Sequence, residues 1–245
     1  MTLRESRLLE VLLDVEQLAL ERELLESAIG LPEIEADKYD AGSLILALAP
    51  ATPRASRAAD GDGLVTVFGA GPAVPIPAHL ARTGPDGGVF TSANGHRYAF
   101  RAGSDGDAER PPAVAELRLA VSDLAASVAF YRDLLGLELL AASGRTARLA
   151  TGSVTLALAQ RDAPSDPGPG GLLVFHAPDI EDSAAALAER GLAFETVHPV
   201  YDEHGGTIRF ADPSGHRVAL YRPSYEGLTR GGGWKLVEVI AGRPR

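Results

Sequence analysis

The chain contains no cysteine. That excludes disulfides, thiolate metal sites and cysteine nucleophiles together. It has no apolar run approaching the roughly 20 residues that span a bilayer. Its opening residues, M-T-L-R-E-S-R-L-L-E, carry charges where a signal peptide has its apolar core. Positive charge is scarce: the formal net charge is −10, and no Lys/Arg run provides a local basic patch. A nucleic-acid phosphate backbone would be repelled. No H-E-x-x-H, G-x-S-x-G or P-loop occurs, and in Gly69-Ala70-Gly71-Pro72 the proline removes a donor from any phosphate nest. These absences leave a soluble, cytoplasmic protein as the expectation, with no nucleic-acid and no membrane partner.

What is present is an ordinary globular composition, 45% hydrophobic and 23% charged, in 245 residues. That length suits one large domain or two small ones. Arginine replaces lysine almost everywhere except Lys38 and Lys235, and Ala, Gly and Pro abound. We read this as the coding bias of a GC-rich bacterial genome.

Two stretches are written twice. G-S-L-I-L-A-L-A at 42–49 returns as G-S-V-T-L-A-L-A at 152–159, and G-H-R-Y-A-F at 95–100 returns as G-H-R-V-A-L at 215–220. A repeat this long copies a whole module and is no short-unit solenoid. Turn-rich stretches at 51–63, 102–112 and 161–171 divide the chain into four pieces. In the third, 116–121 reads as a strand. Asp123 caps a helix with Leu124, Val128, Tyr131 and Leu135 at helical spacing, Gly136 ends it, and strands follow at 137–142, 146–150 and 154–160. In the fourth, strand 172–176 precedes a helix capped by Asp179 and stopped by Gly191, with strands near 193–197, 206–211 and 216–221. The first piece follows more loosely, with strand 7–13, a helix opened by Asp14 and closed by Gly30, and strand 43–49. The second has strands 64–68, 88–92 and 96–101 around a segment, 72–82, that Pro72, Pro75 and Pro77 make a poor helix.

Four β-α-β-β-β units used in pairs resemble the vicinal oxygen chelate superfamily, which holds glyoxalase I, extradiol dioxygenases and bleomycin-resistance proteins. The passage Val121-Ser122-Asp123-Leu124, continued by Ser127-Val128-Ala129-Phe130-Tyr131-Arg132-Asp133-Leu134-Leu135-Gly136-Leu137, resembles the family's first strand and helix. Asp212-Pro213-Ser214-Gly215-His216-Arg217-Val218-Ala219-Leu220 resembles its closing hairpin. The resemblance implies an α+β fold: tandem βαβββ units, four in all, pairing into two modules with curled mixed sheets around open cavities. The expected divisions are a degenerate N-terminal module at 1–105, a C-terminal module at 112–223, and an extension at 224–245 that adds an edge strand or a dimer contact.

The same resemblance places metal ligands at the start of each first strand and in each last strand. Those positions fall on Glu116, Leu172, Ala157 and Ala219, and in the N-terminal module on Arg7, Ala47 and Ala99. A divalent ion needs three or four converging donors, which Ala and Leu lack. No cofactor is therefore expected, a divalent metal entering only through an atypical site. Strand alternation puts Arg118 on the face of Glu116, and Leu172, Val174 and His176 on the corresponding face of the next unit. The candidate site comprises Glu116 and His176 as catalytic groups, and Arg118, Ala157, Val174, Arg209, Ala219 and Tyr221 as ligand-binding residues. Two readings follow. One is a glyoxalase/bleomycin-resistance-like protein that binds a small molecule without the usual metal. The other is a metal-independent isomerase, epimerase or lyase using Glu116 as general base. A monomer or homodimer is expected. His96 and His216, each after a turn glycine, are read as hairpin residues, and Tyr131 as core.

Overall fold

The computed structural model describes residues 7–51, 63–69, 81–83, 88–101, 112–162 and 171–242. The three turn-rich stretches and the proline-broken segment lie almost wholly outside the described residues. The first unit contains β1 (Leu8–Val15), α1 (Leu18–Glu23, continued by a π-helical turn Leu24–Ile29), β2 (Glu33–Glu35), β3 (Lys38–Asp40) and β4 (Ile45–Pro50). The second holds β5 (Leu64–Phe68), β6 (Ala81–Thr83), β7 (Val89–Thr91) and β8 (Arg97–Phe100). The third runs β9 (Val114–Val121), α2 (Leu124–Ala129, continued by a π-helical turn Phe130–Leu134), β10 (Glu138–Ser143), β11 (Thr146–Ala150) and β12 (Thr155–Gln160). The fourth is β13 (Gly171–His176), α3 (Ile180–Glu189), β14 (Val200–Tyr201), β15 (Gly205–Ala211) and β16 (Arg217–Pro223), followed by α4 (Tyr225–Thr229) and α5 (Gly233–Ala241).

These strands form two eight-stranded mixed sheets. The first has the order β14-β15-β16-β13-β1-β4-β3-β2, the second β10-β11-β12-β9-β5-β8-β7-β6. Units one and four therefore share one sheet, joined antiparallel at β1 and β13, and units two and three share the other, joined at β5 and β9. This corrects the expected pairing of sequence neighbours within 1–105 and within 112–223. Each unit leaves one edge of its first strand open, and alternation looks alike in all four, so the chain's pattern does not say which edges meet. Sequence neighbours touch in another way, through a hairpin of one unit against the helix of the other. Tyr98 Oη donates to Glu21 on α1, and Tyr131 Oη on α2 donates to Asp212 before β16.

The duplicated histidines tie the sheets together. The turns at Gly95 and Gly215 need φ of 81° and 87°, which glycine adopts without strain. His96 Nε2 then meets the Asp14 carbonyl of β1 at 2.8 Å, and His216 Nε2 the Ala120 carbonyl of β9 at 2.7 Å. Each bond crosses from one sheet to the other. Tyr131, Leu117, Leu119, Val11 and Leu13 lie in one continuous core that takes residues from both sheets.

Other local expectations change. Asp14 does not open α1. It stays in β1 with its carboxylate 2.7 Å from Arg217, and Gln17 is the N-cap. The cap is supplied by the neighbouring unit, where Asn94 Oδ1 accepts the amides of Glu16 and Gln17 at 2.9 and 2.7 Å. Asp123 does cap α2, accepting from the Ala126 amide at 2.9 Å. Asp179 occupies the N-cap of α3, but its side chain makes no capping bond. The expected strand at 193–197 is a single bridge, Phe194 to Phe210, and the edge strand is β14. Residues 234–240 form most of α5, not a strand. Leu236, Val239 and Ile240 recur at helical spacing and pack on the first sheet.

Candidate functional site

Each sheet has one face in the shared core and one face turned away from it. Pairing register fixes what lies on the second face. In the second sheet, one row across the strands reads Ala99, Val67, Glu116, Thr155 and Ala150. The next row reads Arg97, Val65, Arg118, Ala157 and Arg148. Val65, Val67, Ala99 and Val89 form a small apolar cluster separate from the core.

Glu116 stands at the centre of this face, its side chain 3% exposed. Its Oε1 accepts from Arg118 Nε at 2.7 Å. Its Oε2 accepts from Arg101, just beyond β8, at 2.9 Å, and lies 2.8 Å from Arg148 Nη2 on β11. Both carboxylate oxygens are thus engaged by guanidiniums. The three arginine side chains remain 43%, 47% and 48% exposed, so the cluster faces solvent. Of the expected site residues, Glu116, Arg118 and Ala157 meet here. Arg148 and Arg101 join them. Arg101 escaped the sequence because strand β8 belongs to the unit paired across the sheet.

His176, Val174, Arg209, Ala219 and Tyr221 lie on the first sheet. A single site holding both Glu116 and His176 is therefore corrected: units three and four contribute to different sheets. The rows of the first sheet read Ile45, Glu10, Val174, Ala219 and Arg209, and then Lys38, Ala47, Leu12, Leu172 and Arg217. Glu10 holds the place on β1 that Glu116 holds on β9, opposite the first residue pair of the duplicated strand. The expected equivalent, Arg7, instead lies before β1 and donates to the Val239 carbonyl of α5 at 3.1 Å. It lines a cavity of about 190 Å³ with the two Gly-Ser turns, Gly42-Ser43 and Gly152-Ser153.

The first sheet's face is covered by the chain itself. Leu9, Ile45 and Ala47 pack with Leu236 and Val239 of α5, and Leu12, Ile34, Tyr221, Leu228 and Ile240 border them. Lys235, 3% exposed, reaches Asp40 at 2.6 Å and pins the helix. Part of Glu10 stays accessible, but desolvation of its carboxyl raises its pKa, with Lys38 opposing and Glu35 adding to the shift. Desolvation also raises Tyr221, to about 12. Its hydroxyl donates to the His204 carbonyl at 2.7 Å.

A divalent metal does not fit the described residues. Glu116 has three cations within ion-pair distance, and its neighbours on the face are Val67 and Thr155, with Ala99 beyond Val67 and Ala157 beside Arg118. Among the described residues no three His, Cys, Asp or Glu side chains group as a metal site requires. Among the same residues no helix is long and apolar enough to cross a membrane.

The two mixed eight-stranded sheets, built from four repeated units of which three show the β-α-β-β-β order among the described residues, resemble tandem glyoxalase-type modules. Residues 113–220 match the model of the Glyoxalase/Bleomycin resistance protein/Dioxygenase superfamily. Nearly the whole chain shares its fold with solved structures. A glyoxalase I mutant from Zea mays is 18% identical with a TM-score of 0.66, over 89% of this chain and 94% of that one. Unmutated glyoxalase I from Zea mays is 16% identical with a TM-score of 0.64, over 96% and 95%. A putative dioxygenase from Bacillus subtilis is 13% identical with a TM-score of 0.57, over 95% and 88%. No curated protein matches the sequence.

Proposed function

We propose that this protein binds a small molecule on the open face of the second sheet, and does so without the superfamily's divalent metal. The observation that carries this reading is the buried Glu116 clasped by Arg101, Arg118 and Arg148 beside a small apolar cluster of Val65, Val67 and Ala99. Small apolar walls with a few convergent polar anchors are what a ligand pocket needs. The covered first sheet supports the same choice of face, since α5 occupies the equivalent surface there. The test is mass spectrometry of small molecules and metals released from the natively purified protein. A released organic compound whose rebinding shifts amides of β9, β11 and β12 supports the reading. One tightly held divalent ion per chain overturns its metal-free part.

A second reading, an isomerase, epimerase or lyase, draws on the same cluster, with guanidiniums stabilising an enolate and Glu116 moving the proton. Both Glu116 oxygens accept ion-pair bonds, so a proton transfer would have to release one. Glu116→Gln separates the two readings. Turnover lost with ligand binding kept favours the enzyme, and unchanged turnover refutes it.

A further inference from the structure

Resting on that reading, we infer that the ligand of the second sheet carries an anionic oxygen group, a carboxylate, phosphonate or phosphate, which docks on Arg101, Arg118 and Arg148. Three guanidiniums against one carboxylate leave a local charge of 3 − 1 = +2 on one face of a chain whose formal net charge is −10. Each guanidinium has five N–H donors, about fifteen in all, while a carboxylate offers about four lone-pair sites. Glu116 therefore cannot absorb the donor supply it gathers.

The gathering itself is specific. The arginines arrive from the end of β8, from β9 and from β11, and converge on one buried side chain. Glu116 acts as a positioning residue that holds three forks together before any ligand arrives, lowering the cost of ordering them on binding. A network closed on itself would bury its cations, but these are nearly half exposed. The fold does not require the cations either. At the equivalent register of the first sheet stand Leu12 for Arg118 and Lys38 for Arg148, and Lys38 is paired with Glu35 at 3.0 Å. Val65, Val67 and Ala99 lie beside the cluster and suit an apolar body on the same molecule.

The test compares phenylphosphonate with the neutral benzyl alcohol by amide chemical-shift titration of the full chain. Phenylphosphonate is expected to shift amides of β9, β11 and β12 with a Kd at least tenfold below that of benzyl alcohol, and to weaken as salt rises. Arg148→Gln, which leaves two guanidiniums on Glu116, should weaken it at least fivefold while leaving benzyl alcohol unchanged. Arg230→Gln, exposed just beyond α4, should change neither. If benzyl alcohol binds this face as well as phenylphosphonate, or Arg148→Gln has no effect, the anion inference falls and the small-molecule reading stands. If neither probe perturbs the second sheet, both fall.

Discussion

The two sheets carry the same framework and opposite surfaces. Glu10 and Glu116 sit at matching register, beside matching alanines, Ala47 and Ala157 on one side and Ala219 and Ala99 across the sheet. Around Glu116 the neighbouring side chains are arginines that stay nearly half exposed. Around Glu10 they are Leu12, Ile45 and Val174, with Lys38 and Glu35 close enough to act on its charge, and α5 covers this face. One scaffold thus makes a polar candidate site and an internal packing surface. The difference lies in a few side chains on one face, because substitutions there leave the shared core untouched.

The comparison can be broken at several points. The largest effect is expected from ending the chain after Ser224. Losing the contacts of Leu228, Leu236, Val239 and Ile240 should cost roughly 4–8 kcal/mol, read by urea denaturation, and should create a dye-binding apolar face on the first sheet. Full stability without α4 and α5 would show that the covering is incidental. Next, Glu116→Gln should destabilise by about 1–3 kcal/mol. The carboxylate is buried, but its partners are half exposed, so the loss stays below that of a fully buried pair.

Glu10→Gln should behave in the opposite sense. The folded pKa of Glu10 is raised, so the folded state holds the proton more tightly than the unfolded chain. Stability from this group is complete below the unfolded value of about 4.5 and is lost as pH rises through the folded pKa. The wild type should therefore lose stability relative to Glu10→Gln between mildly acidic and neutral pH. Parallel pH curves for the two proteins would contradict the assignment. His96→Ala and His216→Ala should each cost about 1–3 kcal/mol, since each removes a buried bond between the sheets. Burial lowers the pKa of His96, so its contribution holds above about 6.5 and fades as pH falls. The smallest change is expected from Arg209→Ala, exposed on β15, at within about 0.5 kcal/mol.

Much of the site was legible along the chain, one strand at a time. Alternation placed Glu116, Arg118 and Ala157 on one face, and the duplicated strands marked the alanines beside both glutamates. Arg101 and Asn94 were not legible, since their roles depend on which unit lies opposite. Glu10 was missed for a related reason. The first strand runs longer than its pattern suggested, Asp14 looked like a cap, and the register moved to Arg7. His176 was grouped with Glu116 because adjacent units were expected to share a sheet.

Local physics is written in the sequence. Period-two strands, a capped helix after β9, positive-φ glycines and copied hairpins together mark four repeated units and which residues share each strand's face. Only the tertiary structure decided which open edges pair, which face α5 covers, and therefore that Glu116 meets arginines and Glu10 meets apolar side chains. Edge pairing and helix docking join segments far apart in the chain, and similar strand patterns leave several pairings possible. Packing and register between distant segments select among them.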